Sequence, residues 1–483
     1  MECGFFQRHD EGITKMKDIS QSPVVLINPP SDRVVEEYDA PSYGHLGLAY
    51  LAGALSGRGL PCLIVDAKLE KMNYADTIEY VARLDPVIIG ITSFTHEMNL
   101  VARFTCDIKR RLPGARIVMG GVHASSLPED TLNRLEAVDY IVKGEGERPF
   151  VSLVEAILNK NESAVSGIAG VGYRDGGKIV VVPPDAWLED LDKIDFPAWD
   201  LFGGSITSFP VISSRGCPFK CVFCARMMGE RVRTRSPENV IAELELLNEK
   251  YGASEIYFYD ETFGFYKDWL DSFLKMMIDS GLARKIKWGI STRAQLLNDE
   301  TVGKMKAAGC VKIDFGVESG DDDILKAIKK GETKEDFIRA ARAIKKAGIR
   351  SHSYYIIGHP YETKESALNT INFAASLNTD LISIGIMIPY PGTEVARLAS
   401  RGEGGYKRLS NDWADYNKQL GNALEMESLS KAELTRLQLF GYINFFIKNL
   451  KVVEFTNAAW RYRKLIFAII AKYLKGLKET STR

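Results

Sequence analysis

The chain has 483 residues, of which 45% are apolar and 26% are charged, and its formal net charge is −1. This length and composition predict about two to four globular domains and exclude disordered and collagen-like chains. The near-neutral charge provides no general positive field for nucleic acid, the N-terminus lacks the apolar core of a signal peptide, and there is no apolar run of about 18 residues to span a bilayer. We therefore expect a cytoplasmic protein that does not bind nucleic acid.

The first half of the chain alternates short apolar runs with amphipathic segments. The strand-like runs are VVLIN, CLIVD, VIIGITS, RIVMGG and DYIVKG. Short apolar strands separated by helices of about ten to fifteen residues indicate a doubly wound parallel sheet in an α/β fold. We predict a Rossmann-like domain with five parallel strands over residues 22–160, preceded by an N-terminal extension over residues 1–21.

A connector and a second α/β series follow. Two alternating β runs surround Asp175-Gly176-Gly177 and prolines come after them, so a hairpin linker is predicted over residues 161–204. Six further strand-like runs are FPVISSRG, EIYFYD, IKWGISTR, VKIDFGVES, SHSYYIIG and LISIGIMIP. Because helix-length segments separate them, they predict a partial (β/α)6 barrel over residues 205–395.

The strand-like runs end near Thr393, and residues 396–483 are predicted to form a helical C-terminal cap. Two segments, INFFIKNLKVVEF and WRYRKLIFAIIAKYLKGLK, combine basic residues with aromatic and aliphatic residues at helical spacing. This pattern suits a helix on a membrane surface or a gate for a lipid-like substrate. It also suits a lid that packs its apolar face on the barrel mouth, which is the interpretation we prefer.

Cys217, Cys221 and Cys224 form a cluster of thiols on the loop after the first barrel strand. Barrel enzymes place their chemistry at the carboxyl ends of their strands. Structural zinc normally takes four ligands in two pairs, and no second pair at that spacing follows in the sequence. Three thiolates suit an iron–sulfur cluster that leaves one iron open to a substrate. Cys62 and Cys310 flank apolar runs and are predicted to be small core residues.

The CxxxCxxC spacing, with Phe223 before its last thiol, resembles the radical S-adenosylmethionine (SAM) superfamily. The resemblance implies that the three cysteines hold a [4Fe-4S] cluster whose open iron is chelated by SAM. It further implies that an electron from the cluster cleaves SAM to a 5′-deoxyadenosyl radical, and that an external donor of the flavodoxin or ferredoxin type supplies the electron.

Other positions of the family follow the later barrel strands. YDETFG occupies the place of a glycine-rich segment but lacks its glycine pair. The resemblance implies that Arg293 in STRAQ pairs with the methionyl carboxylate. It also implies that Glu318 in FGVESG binds the ribose hydroxyls or the amine. IIGHPYETKE has a histidine where the family more often has an apolar residue. All lie at carboxyl ends of strands, so we expect them to meet at one rim. These candidate cofactor-binding residues are Phe223, Asp260, Glu261, Thr262, Arg293, Glu318 and His359.

The first domain lacks both the GxGxxG fingerprint and a phosphate-binding P-loop. TSFTHE, GGVHAS and KGEGERPF follow its last three strands and resemble the cobalamin-binding domain that precedes the barrel in cobalamin-dependent radical SAM enzymes. The resemblance implies cobalamin, although the Asp-x-His-x-x-Gly loop that supplies a lower ligand in another cobalamin family is absent. His123 or His96 would be substitutes at best, and a degenerate domain kept as a scaffold stays open. The candidate residues are Ser93, Thr95, Gly120, Gly121, His123, Ala124, Gly144, Glu145, Gly146 and Glu147.

The resemblance covers residues from about 22 to 395 and implies methylation of an unactivated carbon. The implied substrate is a small molecule or a lipid-like or porphyrin-like compound. One alternative is a radical cyclase, rearrangement enzyme or dehydratase that transfers no methyl group and works with or without cobalamin. Another, from a different class, is a zinc-binding module without catalysis. No catalytic acid or base is assigned.

Overall fold

The computed structural model describes residues 23–31, 43–204, 206–417 and 423–451, together with Thr456 and Trp460. The predicted N-terminal extension and most of the basic segment after residue 451 lie outside the described residues. The chain divides into two compact units. The N-terminal unit comprises Met1–Gly216 and Met227–Tyr257, and the C-terminal unit comprises Cys217–Arg226 and Phe258–Arg483.

The main sheet of the N-terminal unit confirms the five predicted parallel strands and adds two antiparallel ones. Its strands are β1 (Val24–Asn28), β2 (Cys62–Asp66), β3 (Ile88–Thr92), β4 (Arg116–Gly120), β5 (Tyr140–Val142), β6 (Val171–Asp175) and β7 (Lys178–Val181). Their order is β2-β1-β3-β4-β5-β6-β7, with β1 to β5 parallel. The order reverses between β1 and β3, and ligands of such sheets bind at the carboxyl ends of the strands near that point.

Helices alternate with these strands as the sequence predicts. They are α1 (Leu46–Gly57), α2 (Tyr74–Leu84), α3 (Met98–Arg111), α4 (Gly121–Ser126), α5 (Pro128–Arg134) and α6 (Glu147–Leu158). Every residue of β1 and of β3 is buried, as expected of parallel strands covered on both faces. Side chains cap the starts of two of these helices: His45 accepts a hydrogen bond from the backbone N–H of Leu48 in α1, and Asn73 accepts one from the backbone N–H of Asp76 in α2.

The predicted hairpin is present, but it extends the first sheet. Gly176 and Gly177 form its turn with φ angles of 53° and 83°, which glycine adopts without strain. β6 pairs antiparallel with β5 as well as with β7. The Arg174 guanidinium fixes this arrangement by donating to the carbonyl oxygens of Val138 (2.6 Å) and Leu135 (2.9 Å).

The second α/β series forms the predicted six-stranded sheet. Its strands are β8 (Phe209–Val211), β11 (Glu255–Phe258), β12 (Lys287–Thr292), β13 (Cys310–Glu318), β14 (Arg350–Ile357) and β15 (Leu381–Ile386). A two-stranded ladder, β9 (Ser214–Arg215) and β10 (Arg233–Thr234), follows β8 in the chain. The order of the large sheet is β15-β14-β13-β12-β11-β8, and β12 to β15 are parallel.

Helices connect the strands of this series. They are α7 (Pro237–Tyr251), α8 (Lys267–Asp279), α9 (Leu282–Lys285), α10 (Asp299–Ala307), α11 (Asp322–Ala327), α12 (Lys334–Lys346) and α13 (Lys364–Leu377). α7 begins after the N-cap Ser236 with a proline at its first position and ends at Gly252, whose φ is 67°. These are the expected start and stop signals of a helix. Cys62 and Cys310 are buried, as predicted.

The segment after Thr393 differs from the prediction of helices alone. It contains α14 (Glu394–Ser400), β16 (Tyr406–Leu409), β17 (Leu424–Met426) and α15 (Lys431–Lys448). β16 and β17 pair antiparallel and bury Tyr406 and Met426. None of the helices in the described residues is both long and apolar enough to cross a membrane.

α15 covers β15, the last strand of the large sheet. The Gln438 amide donates to the Ile384 carbonyl oxygen (2.8 Å), and the Tyr442 hydroxyl accepts from the Ile384 backbone N–H (3.0 Å). Both backbone groups of an edge residue are therefore satisfied by side chains of a helix. The close approach needs Gly441, because a Cβ there would lie 2.4 Å from Ile384 Cδ1.

We predict that Gly441→Ala destabilises the protein by about 1–3 kcal/mol, since the added methyl group overpacks the contact between α15 and β15. The matched control is Gly303→Ala in α10, where a Cβ meets nothing within 4 Å. That control should be neutral or stabilising by up to about 1 kcal/mol. Urea unfolding monitored by circular dichroism measures both, and equal stabilities of the two variants would contradict the packing argument.

Candidate active site

The loop that carries the three thiols leaves and re-enters the β9–β10 ladder. Arg215 pairs with Arg233 in this ladder, so the base of the loop is closed. Gly216 follows β9 with a φ of 92°, and a Cβ there would lie 2.1 Å from the Arg231 carbonyl oxygen. Only glycine permits both the backbone conformation and this close approach.

Inside the C-terminal unit, backbone hydrogen bonds of Val222 fix the middle of the loop. The Val222 N–H donates to the Ile328 carbonyl oxygen, and the Val222 carbonyl oxygen accepts from the Val395 N–H, both at 3.1 Å. The Cys224 N–H donates to the Cys221 carbonyl oxygen at 3.1 Å, which closes a turn between two of the thiols. The cysteines are therefore presented by a restrained backbone.

The three cysteines are free thiols with polar neighbours. Cys217 Sγ lies 3.5 Å from Thr262 Oγ1, and Arg293 Nη1 donates toward Cys221 Sγ over 3.7 Å. Among the described residues, no group of three or more His, Cys, Asp and Glu side chains is arranged around a single metal ion. Each iron of a cubane cluster takes one cysteine, so three thiols on one loop fit a [4Fe-4S] cluster.

The C-terminal unit brings most of the predicted rim residues close to this loop. Thr262 and Arg293 contact cysteines, the Phe223 and His359 rings lie 6.0 Å apart, and His359 Nε2 lies 3.3 Å from the Glu318 carbonyl oxygen. Asp260 and Glu261 precede Thr262 in the sequence; the first is buried and the second is exposed. The structure thus gathers candidates from the ends of β11 to β14, although their roles toward SAM stay predictions.

Glu318 has an unusual backbone at the end of β13. Its φ is 69°, a left-handed conformation that is uncommon for residues other than glycine and that clusters at functional sites. Its side chain folds back over Gly316, where a Cβ would lie 2.1 Å from Glu318 Oε1. The carboxylate lies 3.6 Å from Lys330 Nζ. Gly316 therefore makes room for a buried carboxylate on the rim.

Lys330 and Glu332 were missed by the sequence analysis. Glu332 Oε2 lies 3.1 Å from Arg293 Nη2 and 3.2 Å from Lys330 Nζ, and all three side chains are buried. Together with Glu318 they form a network of two cations and two anions, which we call the rim charge network. The KKGET segment gives one local signal, a lysine and a glutamate around Gly331, but their partners are remote in sequence.

Two titratable side chains follow β14 in the IIGHPYETKE segment. His359 is fully buried, and burial lowers its pKa to about 4, so the imidazole is neutral at pH 7. Glu362 accepts hydrogen bonds from the backbone N–H groups of Gly358 and His359. Burial raises the pKa of Glu362 to about 8. Glu362 shapes this turn, and its role was also missed.

In the N-terminal unit, the candidate cobalamin residues lie at the carboxyl ends of β3, β4 and β5. His123 Nδ1 lies 3.2 Å from Thr95 Oγ1, and Ser125 Oγ accepts from the Gly144 N–H at 3.0 Å. His123 is buried, and burial lowers its pKa to about 4. The contact with Thr95 involves Nδ1 alone, so both His123 as a cobalt ligand and a lower face without histidine stay predictions.

Open space beside two glycines fits a bulky ligand. A Cβ at Gly120 would meet nothing closer than 3.8 Å, and one at Gly144 would meet only Trp187 at 4.0 Å. Phe94, which is 47% exposed, stacks on His96 with the ring planes 6° apart. An exposed phenyl ring stacked on a half-buried imidazole after β3, and accessible backbone after β4 and β5, are compatible with a large ring at this edge.

Glu145 and Glu147 are engaged by the stems of the cysteine loop. Arg215 lies 3.1 Å from Glu145 and 2.6 Å from Glu147, and Arg233 lies 2.9 Å from Glu145. Burial by itself would raise the pKa of Glu145, but Arg233 and Arg215 hold it below its ordinary value. These carboxylates therefore bind arginines, while Gly144 and Gly146 keep the predicted role toward a ligand.

Comparison with known proteins finds the same two parts. The family model of the Radical SAM superfamily matches residues 211–374, and that of the B12 binding domain matches residues 40–154. An uncharacterized methyltransferase of Pyrococcus horikoshii is 33% identical over 471 residues, which cover 94% of this chain and 99% of the relative. The chain belongs to the cobalamin-dependent radical SAM family.

Two further similarities bear on this radical SAM enzyme. The anaerobic magnesium-protoporphyrin IX monomethyl ester cyclase of Cereibacter sphaeroides is 28% identical over 90% of this chain and 72% of its own. The structure of the radical SAM methyltransferase TsrM from Kitasatospora setae, with cobalamin and a [4Fe-4S] cluster bound, has a TM-score of 0.69. It is 19% identical, and the match covers 89% of each chain, which confirms the predicted fold.

Family membership removes one of the alternatives left open by the sequence. The protein is a radical SAM enzyme, so the zinc-binding module without catalysis is set aside. Its cofactors are a [4Fe-4S] cluster, SAM and cobalamin, as predicted. The residues present fit these groups: three free thiols lie on one loop, and open glycine backbone lies beside the edge of the first sheet.

We predict that Glu145→Ala in this radical SAM enzyme lowers the free energy of unfolding by about 3–5 kcal/mol, because two buried guanidinium groups lose a shared anion. The control is Glu79→Ala, which breaks an exposed pair with Arg111 at 2.6 Å and should cost less than about 1 kcal/mol. Chemical denaturation measures both. A loss at Glu145 no larger than that at Glu79 would show that the buried pairs contribute little.

Proposed function

We propose that this radical SAM enzyme transfers a methyl group from SAM, by way of cobalamin, to an unactivated carbon of a small organic substrate. The observation that carries the proposal is the presence in one chain of a restrained three-thiol loop and a domain of the B12-binding family. The methyltransferase relative, similar over nearly its whole length, supports it.

The bound cofactors would supply a hydrogen-abstracting radical and a transferable methyl group. The chain itself binds and orients them. Cys217, Cys221 and Cys224 hold the cluster, and Glu318, fixed by its left-handed backbone, offers a carboxylate to SAM. Phe223 and His359 line the same rim with an aromatic ring and a neutral imidazole, which favour stacking over ion pairing.

A second candidate function is radical cyclisation without methyl transfer. The observation that favours it is the 28% identity with the anaerobic cyclase of Cereibacter sphaeroides over 90% of this chain. The relative's name describes a porphyrin ester, so a porphyrin-like substrate belongs to this second candidate. The two differ in whether label from the methyl group of SAM enters the product.

The test is anaerobic incubation of the reconstituted enzyme with methyl-labelled SAM, cobalamin, a flavodoxin or chemical reductant and candidate substrates. We predict that 5′-deoxyadenosine forms and that label appears in the product. Cys217→Ala, Cys221→Ala and Cys224→Ala should each abolish 5′-deoxyadenosine, because an iron loses its ligand. The control is Cys106→Ala, an exposed thiol on α3, which should keep full activity.

The outcomes separate the candidates. Formation of 5′-deoxyadenosine with unlabelled product would select the cyclase or a related rearrangement. Continued 5′-deoxyadenosine production by any of the three cysteine variants would overturn the assignment of the cluster ligands.

We further propose that α15 contacts the surface of an anionic membrane. Leu439, Ile443 and Ile447 are exposed at a spacing of four residues, so they lie on one face of α15. Leu450, just after the helix, is 85% exposed, and Lys448 lies between these apolar residues. An apolar face beside a lysine suits the interface of an anionic bilayer.

We predict that the protein sediments with phosphatidylglycerol vesicles and that the double substitution Ile447→Asp and Leu450→Asp reduces the bound fraction at least about tenfold. Phosphatidylcholine vesicles should bind the protein weakly, since they carry no net negative charge to attract Lys448. The control is Val311→Asp, an exposed apolar residue on β13, which should leave vesicle binding unchanged. Equal sedimentation of wild type and double variant would favour the lid interpretation.

A further inference from the structure

Arg293, which follows β12, is held inside the C-terminal unit by contacts on several sides. Its Nη1 donates toward Cys221 Sγ over 3.7 Å, and its Nη2 donates to the Lys330 carbonyl oxygen. The guanidinium carbon lies 3.7 Å from the centroid of the Phe219 ring. The side chain is 6% exposed. Its guanidinium therefore lies against the cysteine loop, because both Cys221 and Phe219 belong to that loop.

Glu332 fixes the orientation of this guanidinium. Glu332 Oε2 lies 3.1 Å from Arg293 Nη2, while Oε1 accepts a hydrogen bond from the Gln295 N–H at 2.9 Å. Gln295 lies in the short turn that begins after Arg293. One carboxylate thus binds both the side chain of Arg293 and the backbone two residues later. Lys330 lies 3.2 Å from Glu332 and 3.6 Å from Glu318, so the two cations of the network face its two carboxylates.

We propose that Arg293 raises the reduction potential of the cluster through its hydrogen bond to Cys221, and that Glu332 is the positioning residue that keeps it there. The inference rests on the proposed function, since it takes Cys221 as a cluster ligand. Reduction adds one electron from the external donor and moves no atoms. The added negative charge is stabilised by a nearby guanidinium, and hydrogen bonds to cluster sulfur are known determinants of the potential.

This role differs from the predicted pairing of Arg293 with the methionyl carboxylate of SAM. A carboxylate partner would change the affinity for SAM and leave the SAM-free cluster unaffected. A donor to Cys221 changes the potential before SAM is added. The contacts favour the second role, because Cys221, the Lys330 carbonyl, Glu332 and the face of Phe219 already surround the guanidinium.

The experiment is a redox titration of the reconstituted, full-length enzyme without SAM, followed by electron paramagnetic resonance. We expect Arg293→Met to hold about tenfold less reduced cluster at a given potential, which is a midpoint ~59 mV lower for a one-electron couple. The midpoint of Arg293→Lys should fall less, since lysine keeps the positive charge but lacks the planar set of N–H donors of the guanidinium. Arg339→Met on α12, an exposed arginine paired with Asp336, should not shift.

Glu332→Asp provides a test that conserves charge. Its shorter side chain cannot bind Arg293 and the Gln295 N–H together, so the midpoint should fall in the same direction as in Arg293→Met, by a smaller amount. If Arg293→Met does not load the cluster, Arg293→Lys and Glu332→Asp decide the question.

Unchanged midpoint potentials in all variants with full iron and sulfide content would overturn the inference. A loss of SAM affinity without a change of midpoint would support the predicted pairing of Arg293 with the methionyl carboxylate. A wild-type protein that binds no cluster would instead refute the proposed function. The two failures are therefore distinguishable.

Discussion

Charges withdrawn from water must be paired, and in this protein buried ion pairs hold the two structures on which the cysteine loop depends. Arg215 and Arg233 form the stems of the loop and are bound by Glu145 and Glu147 within the N-terminal unit. Within the C-terminal unit, Glu332 of the rim charge network binds Arg293, which contacts Cys221 of the loop. Such pairs contribute little net stability compared with apolar packing, but they are costly to break, so they specify one arrangement. A site that must hold three thiols in a fixed geometry benefits from that specificity.

The fold was largely predictable because its signals are local. Most strands of the parallel sheets contain a short apolar run, and helix-length segments separate these runs in the sequence. Edge pairing is different. Nothing local in residues 171–181 indicates that the hairpin pairs with β5, since the bond from Arg174 to Val138 joins distant segments. The strands β16 and β17 were missed for a similar reason: YKRL and LEM are too short and too polar to indicate strands by themselves.

In the candidate site, too, the features with local sequence signals were predicted and those that depend on distant partners were missed. The spacing of the cysteines and the motifs at strand ends lie within a few residues of each other, so the ligands and their rim could be proposed from sequence. Lys330 and Glu332 could not, because a buried salt bridge depends on a partner elsewhere in the chain. Glu145 and Glu147 show the converse case. Their segment matches the cobalamin-binding pattern, yet their carboxylates bind arginines that the pattern does not mention. A motif predicts where a backbone goes better than what each of its side chains contacts.

The sequence predicted that Arg293 pairs with the methionyl carboxylate of SAM, whereas in the structure its guanidinium contacts the cysteine loop and Glu332. Phe219 and Glu332 hold Arg293 against the cysteine loop, whereas Lys330 lies 3.6 Å from Glu318, the carboxylate that we propose for SAM. Because a lysine ammonium is a compact charge on a flexible stem, it can exchange one carboxylate partner for another with less loss of geometry than a stacked guanidinium. Under the roles proposed above, the rigid cation serves the cluster and the adaptable one lies beside SAM.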